Sequence, residues 1–237
     1  MSRWDALLAV QEHDTTADQL AHRRSNLPER AELQQSMAAL AQVEARVTEV
    51  DAAKHELVRV QQRLEDEISA LTERATAHDK TLYGGTIGNP RELQALQDEI
   101  AALKRRIGHL EDQEIEVMEQ IEPLDADLAT LAGERAALDE RAAALRAQIA
   151  EAEVEIDGQL AEVTAARAAL AAGVEPELLA EYETLRPQLG GIAIARLVGG
   201  SCGGCHLGLS AVEIDRIKKL PPEEPARCEE CGRLLAR

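Results

Sequence analysis

From Leu93 onward apolar residues recur at alternating steps of three and four: Leu96, Ile100, Leu103, Ile107 and Leu110, then Val117, Ile121, Leu124, Leu128 and Leu131. The same phase runs on through Leu138, Ala142, Leu145, Ile149, Ile156 and Val163 to Leu170. Of 23 seam positions 20 are apolar, which predicts one coiled-coil helix. Its length at 1.5 Å per residue comes to roughly 115 Å, beyond the span of a compact domain. An earlier stretch keeps the same period through Leu40, Val43, Val47, Val50, Leu57, Leu64, Ile68 and Leu71. Before it, Leu7, Val10, Ala17 and Leu20 form a separate amphipathic stretch, and Pro28 is expected to interrupt the helix.

The two periodic segments are joined by residues 79–90, a glycine-rich turn ending in Asn89-Pro90-Arg91-Glu92. Asn89 is suited to cap the second helix, Pro90 to its first position and Glu92 to return a bond to the cap. An antiparallel hairpin follows, and pairing His78 with Leu93 sets Leu71 against Ile100 and Val50 against Ile121, with Lys54 one layer from Glu114. Lys54, Gln61, Glu114 and Arg135 interrupt the apolar seam and are read as setting register at some cost in stability. Pro123 predicts a bend in the second helix near residues 119–123. Leu82, Tyr83 and Ile87 are apolar residues on the tip loop. They are expected to cap the end of the coiled coil, with a role in partner binding as the alternative.

The helical pattern ends near Gly173, and Pro176 begins a short helix through about Leu185. Beyond Gly190-Gly191 the chemistry changes. Cys202-Gly-Gly-Cys205 and Cys228-Glu-Glu-Cys231 each present two sulfurs around a tight turn, and two such knuckles complete one tetrahedral Zn2+ site. Four thiolates leave no open position for water, so the metal is structural and not catalytic. The alternatives are redox-active pairs or iron on the same sulfurs. His206 is expected at the surface and not as a ligand. Residues 192–198 alternate toward a strand leading into the first knuckle, and Arg233-Leu234-Leu235 follow the second. Between the knuckles Ser210-Ala-Val-Glu213 is a capping box for a short helix carrying Val212, Ile214, Ile217 and Leu220.

Composition agrees with a helical chain poor in aromatic residues: no Phe, one Trp and two Tyr among 237 residues, and a formal charge of −18. Residues 1–172 hold 18 basic against 34 acidic side chains, and residues 173–237 hold 8 against 10. So acidic a surface repels phosphate, and nucleic acid could be held only by a local patch on the ribbon. Its candidates are Arg196, Arg216, Lys218, Lys219, Arg227, Arg233 and Arg237, without an aromatic residue nearby for base stacking. No signal-peptide pattern and no run of 18 apolar residues is present, so a cytoplasmic protein without a membrane partner is expected. No nucleophile with a base, phosphate loop or histidine cluster stands out, so no enzymatic activity is expected.

With these residues in hand, the chain resembles the bacterial C4-type zinc-ribbon proteins built on a long N-terminal coiled-coil hairpin. The resemblance rests on the tip Leu82-Tyr83-Gly-Gly-Thr-Ile-Gly-Asn-Pro-Arg-Glu-Leu93, on the stretch from Leu110-Glu111 to Met118-Glu119, and on the two cysteine pairs with Gly232-Arg233. It implies non-enzymatic regulatory or adaptor proteins, some associated with flagellar gene control through an alternative sigma factor or a messenger RNA. The expected fold is mainly α, a long antiparallel coiled-coil hairpin over residues 1–172, a connecting helix over 173–189 and a small α+β zinc ribbon over 190–237. The expected function is that of an adaptor whose coiled coil binds a protein partner. The alternative is gene regulation through nucleic acid bound at the ribbon. Self-association through Leu7, Val10 and Leu20 is a further expectation.

Overall fold

The computed structural model describes residues 3–85, 87–221 and 224–236. Helix α1 spans Arg3–Ser25, α2 Pro28–Tyr83, α3 Pro90–Ala171 and α4 Pro176–Gln188. The ribbon follows, with β1 over Ile194–Val198, β2 over Ser201–Cys202, α5 over Ala211–Lys219, β3 over Ala226–Arg227 and β4 over Leu234–Ala236. Its sheet runs β2-β1-β4-β3, with β1 and β4 parallel at the centre and antiparallel neighbours outside.

Local chemistry explains most boundaries. A residue preceding proline is pushed out of the α region, so the helix breaks at Asn26-Leu27 and restarts with Pro28 at its first position. Asn89 caps α3 by accepting the Arg91 N–H at 3.0 Å, although Glu92 meets the Asn89 amide at 3.3 Å instead of its backbone. Helix α3 continues through Pro123. Pro187 also lies inside α4, two residues beyond the expected end, where a missing N–H disturbs only the last turn.

The chain divides into two compact units. One comprises Met1–Ala31 with Leu145–Arg237, and the other Glu32–Ala144. In the second unit α2 and α3 bury Ala75, Ile100, Leu103, Leu110, Val117, Leu131 and Ala142, all on the predicted seam. The register differs from the expected one. Asp79 pairs with Lys104 at 3.3 Å, Lys54 with Asp125 at 2.6 Å and Glu44 with Arg135 at 3.3 Å. In the expected pairing Asp79 would stand level with Glu92, twelve residues and about 18 Å short of Lys104. Arg74–Glu99, Glu67–Arg106 and Glu32–Arg141 stay within two residues of the expected pairing, so taken together the cross-helix pairs set α3 about one heptad further along α2, with Lys54 matched by Asp125 and not by Glu114. A repeating apolar seam tolerates such a slip, because each step of it brings another apolar residue into the same place.

In the first unit, α1 lies against the sheet. Trp4, Leu7 and Val10 join Leu178 and Tyr182 of α4 and Ile194, Leu234 and Ala236 of the central strands in one core. Leu7 and Val10 are thus fully buried within their own chain and are not available for self-association. The two central strands divide two cores by their period of two. Ile194 and Leu234, which pair in register, face α1, while the paired Ala195 and Leu235 face Ile217 and the cysteines.

Candidate metal centre

The ribbon brings the four cysteines together. Their sulfurs all lie within 4.8 Å of one another, with Cys202 Sγ 3.9 Å from that of Cys231 and Cys205 Sγ 3.8 Å from that of Cys228. A tetrahedron of sulfurs about 2.3 Å from Zn2+ has edges of roughly 3.8 Å, so the donor set fits that ion. Cys202 and Cys228 are buried, and Cys205 and Cys231 half-buried.

The knuckles are built alike. In the first, the His206 N–H donates to the Cys202 carbonyl at 2.8 Å and Gly204 N–H points at Cys202 Sγ at 3.4 Å. In the second, the Gly232 N–H donates to the Cys228 carbonyl at 2.9 Å. The residue after each second cysteine adopts the left-handed conformation, His206 at φ 59° and Gly232 at φ 74°. His206 is exposed and serves as a turn residue, not as a ligand. Gly203 and Gly204 are required by space: a Cβ would come 2.9 Å from the Arg196 carbonyl at the first, and 2.6 Å from Arg233 Cδ at the second. As free thiols the cysteines ionise unevenly. Burial pushes Cys228 up to about 12. Burial acts upward on Cys231 as well, but hydrogen bonds from the Arg233 backbone and side chain draw it down to about 7.

Residues 10–190 match the CT398-like coiled coil hairpin domain and residues 201–235 the C4-type zinc ribbon domain. The chain belongs to the CT398-like coiled-coil hairpin family. An uncharacterised protein of Mycobacterium tuberculosis is 34% identical over 239 residues, covering 98% of this chain and 94% of that protein. A Mycobacterium smegmatis structure shares 28% identity at a TM-score of 0.88, covering 99% of this chain and 97% of that one. The CT398 structure from Chlamydia trachomatis shares the fold at 21% identity and a TM-score of 0.70, with 98% and 96% covered. Neither family match is to an enzyme family. In this CT398-like chain the four cysteines form the site of one structural Zn2+, and closure of the tetrahedron by protein sulfurs makes its role the folding of the ribbon.

The ribbon cations are largely engaged within the chain. Arg233 donates to the carbonyls of Ile192 and Leu189, both at 2.9 Å. Arg196 pairs with Asp5 at 3.1 Å, Arg216 with Glu213, Lys219 with Asp215 at 2.5 Å and Arg227 with Glu181. Lys218 is exposed, and among the described residues it alone of these cations has neither an ion pair nor, as Arg233 has, backbone carbonyls to hold it. Arg237 lies outside the described residues. Glu213 caps nothing with its carboxylate, which the Arg216 guanidinium holds below the usual range, although its N–H does reach Ser210 Oγ at 3.1 Å. Val212, expected to pack with α5 on the ribbon, is instead 81% exposed. At the tip, Tyr83 is 84% exposed, so it does not cap the coiled coil, whereas Leu82 and Ile87 are half-buried.

Two polar arrangements escaped sequence reasoning. Gln11 of α1 is buried, accepts the N–H groups of Ala193 and Ile194 at 2.7 and 2.8 Å, and donates to the Ile194 carbonyl at 2.8 Å. It satisfies the backbone at the entrance to β1 as a neighbouring strand would. Its one signal is a place beside Val10 on an otherwise apolar face. Tyr182, fully buried, donates to Asp14 at 2.9 Å, and Asp14 also receives Arg167 at 3.2 Å. Burial, reinforced by that carboxylate, moves the Tyr182 phenol far above its ordinary range.

Proposed function

We propose that this CT398-like protein is a non-enzymatic, cytoplasmic adaptor with a regulatory role, in which the coiled-coil hairpin binds a protein partner and the zinc ribbon is structural. The observation that carries this reading is where unspent chemistry lies. Five of the six described ribbon cations are committed to partners in the chain, and no aromatic residue accompanies them. Large apolar side chains are exposed along the hairpin, Tyr83, Ile115 and Met118 among them, as Val198, Leu207 and Val212 are on the ribbon. Apolar exposure of that kind marks protein contact more than phosphate contact. No helix is long and apolar enough to cross a membrane among the described residues.

The test is co-purification from the native cell with two altered chains, one changed on the hairpin surface and one in the ribbon cations, with bound protein and bound nucleic acid identified separately. Partners lost only on hairpin changes support the adaptor reading. Partners lost only on ribbon changes, or an RNA or DNA gel shift at low salt that Lys218→Glu abolishes, would reverse it.

A further inference from the structure

We infer that a groove on the hairpin, floored by Met118 and Ile121 and rimmed by Gln61, Glu122 and Asp125, docks a basic amphipathic helix of a partner protein. The inference rests on the adaptor reading and names the place and the chemistry of the contact. The groove encloses about 270 Å³. Met118 on its floor is 51% exposed, and Ile115, one turn earlier on the same side of α3, is 55% exposed. Val58, one turn before Gln61 on α2, is also exposed. Folding does not account for these three side chains, because the seam residues Val117, Ile121 and Leu124 of α3 and Leu57, Gln61 and Leu64 of α2 already supply the hairpin interior here.

Charge complementarity names the occupant. Between Glu111 and Asp127 there are eight carboxylates and no Lys or Arg. On the α2 side Lys54 offsets Asp125 and Arg59 is paired with Glu56, leaving Arg63 as the exposed cation there, while Glu111, Glu119 and Glu122 remain exposed along this part of α3. Pro123 adds an acceptor: it has no N–H, so the Glu119 carbonyl lacks its usual helical donor. Apolar side chains with acidic surroundings suit a helix that presents Leu-type residues at i, i+3, i+4 and i+7, flanked by Lys or Arg. A second copy of this chain suits them poorly, since it would bring the same eight carboxylates against themselves.

The probe is a fluorescein-labelled synthetic helix with Leu on one face and Lys on the other, titrated by anisotropy at physiological ionic strength beside a scrambled peptide of equal composition. The full-length variant Ile115→Asp/Met118→Asp makes the surface more acidic and less apolar. Docking predicts that it binds the amphipathic peptide about tenfold or more weakly, whereas attraction by charge alone predicts equal or tighter binding. Ile115→Ala/Met118→Ala should weaken binding in the same direction, with a thermal melt unchanged by circular dichroism. Val154→Asp, an exposed apolar site elsewhere on α3, should leave binding unchanged. Equal affinity for the scrambled peptide, or undiminished binding by either double variant, overturns the inference. So does light scattering that finds a dimer converted to monomer by the double variant. Failure here, with partners still lost on other hairpin changes, leaves the adaptor reading standing. Groove-dependent peptide binding without any hairpin-dependent cellular partner overturns that reading alone.

Discussion

Gln11→Ala is expected to damage the ribbon although residue 11 lies far from the cysteines in sequence. The side chain makes three hydrogen bonds to the backbone at Ala193 and Ile194, each 2.7 or 2.8 Å long, in a buried setting. Alanine would leave two N–H groups and one carbonyl unsatisfied there. At about 1–3 kcal/mol for each group so exposed to an apolar environment, less what relaxation and water recover, the loss should be about 3 kcal/mol. Urea denaturation of the unit that holds the ribbon measures this, and hydrogen exchange of the Ala193, Ile194 and Leu234 amides locates it. Gln11→Glu sharpens the test. Its carboxylate keeps both accepted bonds, which favour the charged form, but it is buried and faces the Ile194 carbonyl without a proton to donate; with burial and that repulsion outweighing the two N–H donors, the folded state favours the protonated form and raises the pKa above the unfolded value. The variant should therefore approach wild-type stability at low pH and fall away as pH rises through the folded pKa. A Gln11→Ala protein within about 0.5 kcal/mol of wild type, or a Gln11→Glu protein with no such pH dependence, would show that these three bonds do not hold the entrance to β1.

The other predictions concern the metal centre and the tip. The protein should bind one Zn2+ per chain, with any single Cys→Ser change abolishing tight binding and affinity falling as pH falls, because four thiolates must form and Cys228 resists ionisation most; chromogenic zinc-release titration measures both. Circular dichroism of the same variants should retain most of the hairpin helicity, since α2 and α3 bury a seam that contains no cysteine. Gly204→Ala should cost about 1–3 kcal/mol by urea denaturation and weaken zinc binding, because its Cβ would displace Arg233 from the two carbonyls that hold it. Tyr83→Ala should leave the melting temperature unchanged, in keeping with an exposed ring, and any effect it has should appear only in partner capture.

Much of this protein is legible in the chain itself. Alternating steps of three and four mark the buried stripe of α2 and α3 residue by residue, because burial on a helix follows its own turn and needs no knowledge of the partner. Two CxxC pairs identify a tetrahedral metal site for a similar reason: each knuckle builds half of the site within four residues. The breaks at Pro28 and Pro90 are equally local. The hairpin's register was not legible, because a seam of Leu, Ile and Val offers an acceptable apolar match at each slip, and the choice falls to charges such as Lys54 and Asp125 that meet only across the fold. Nor could the sequence assign α1 to the ribbon, since Leu7 and Val10 announce an apolar face but not what covers it. Gln11 is the sharpest case: a polar residue on that face reads as a flaw until β1 arrives with unpaired backbone groups. Local periodicity and local chelation were determined by the sequence alone; contacts between residues nearly two hundred positions apart were decided only by the tertiary structure.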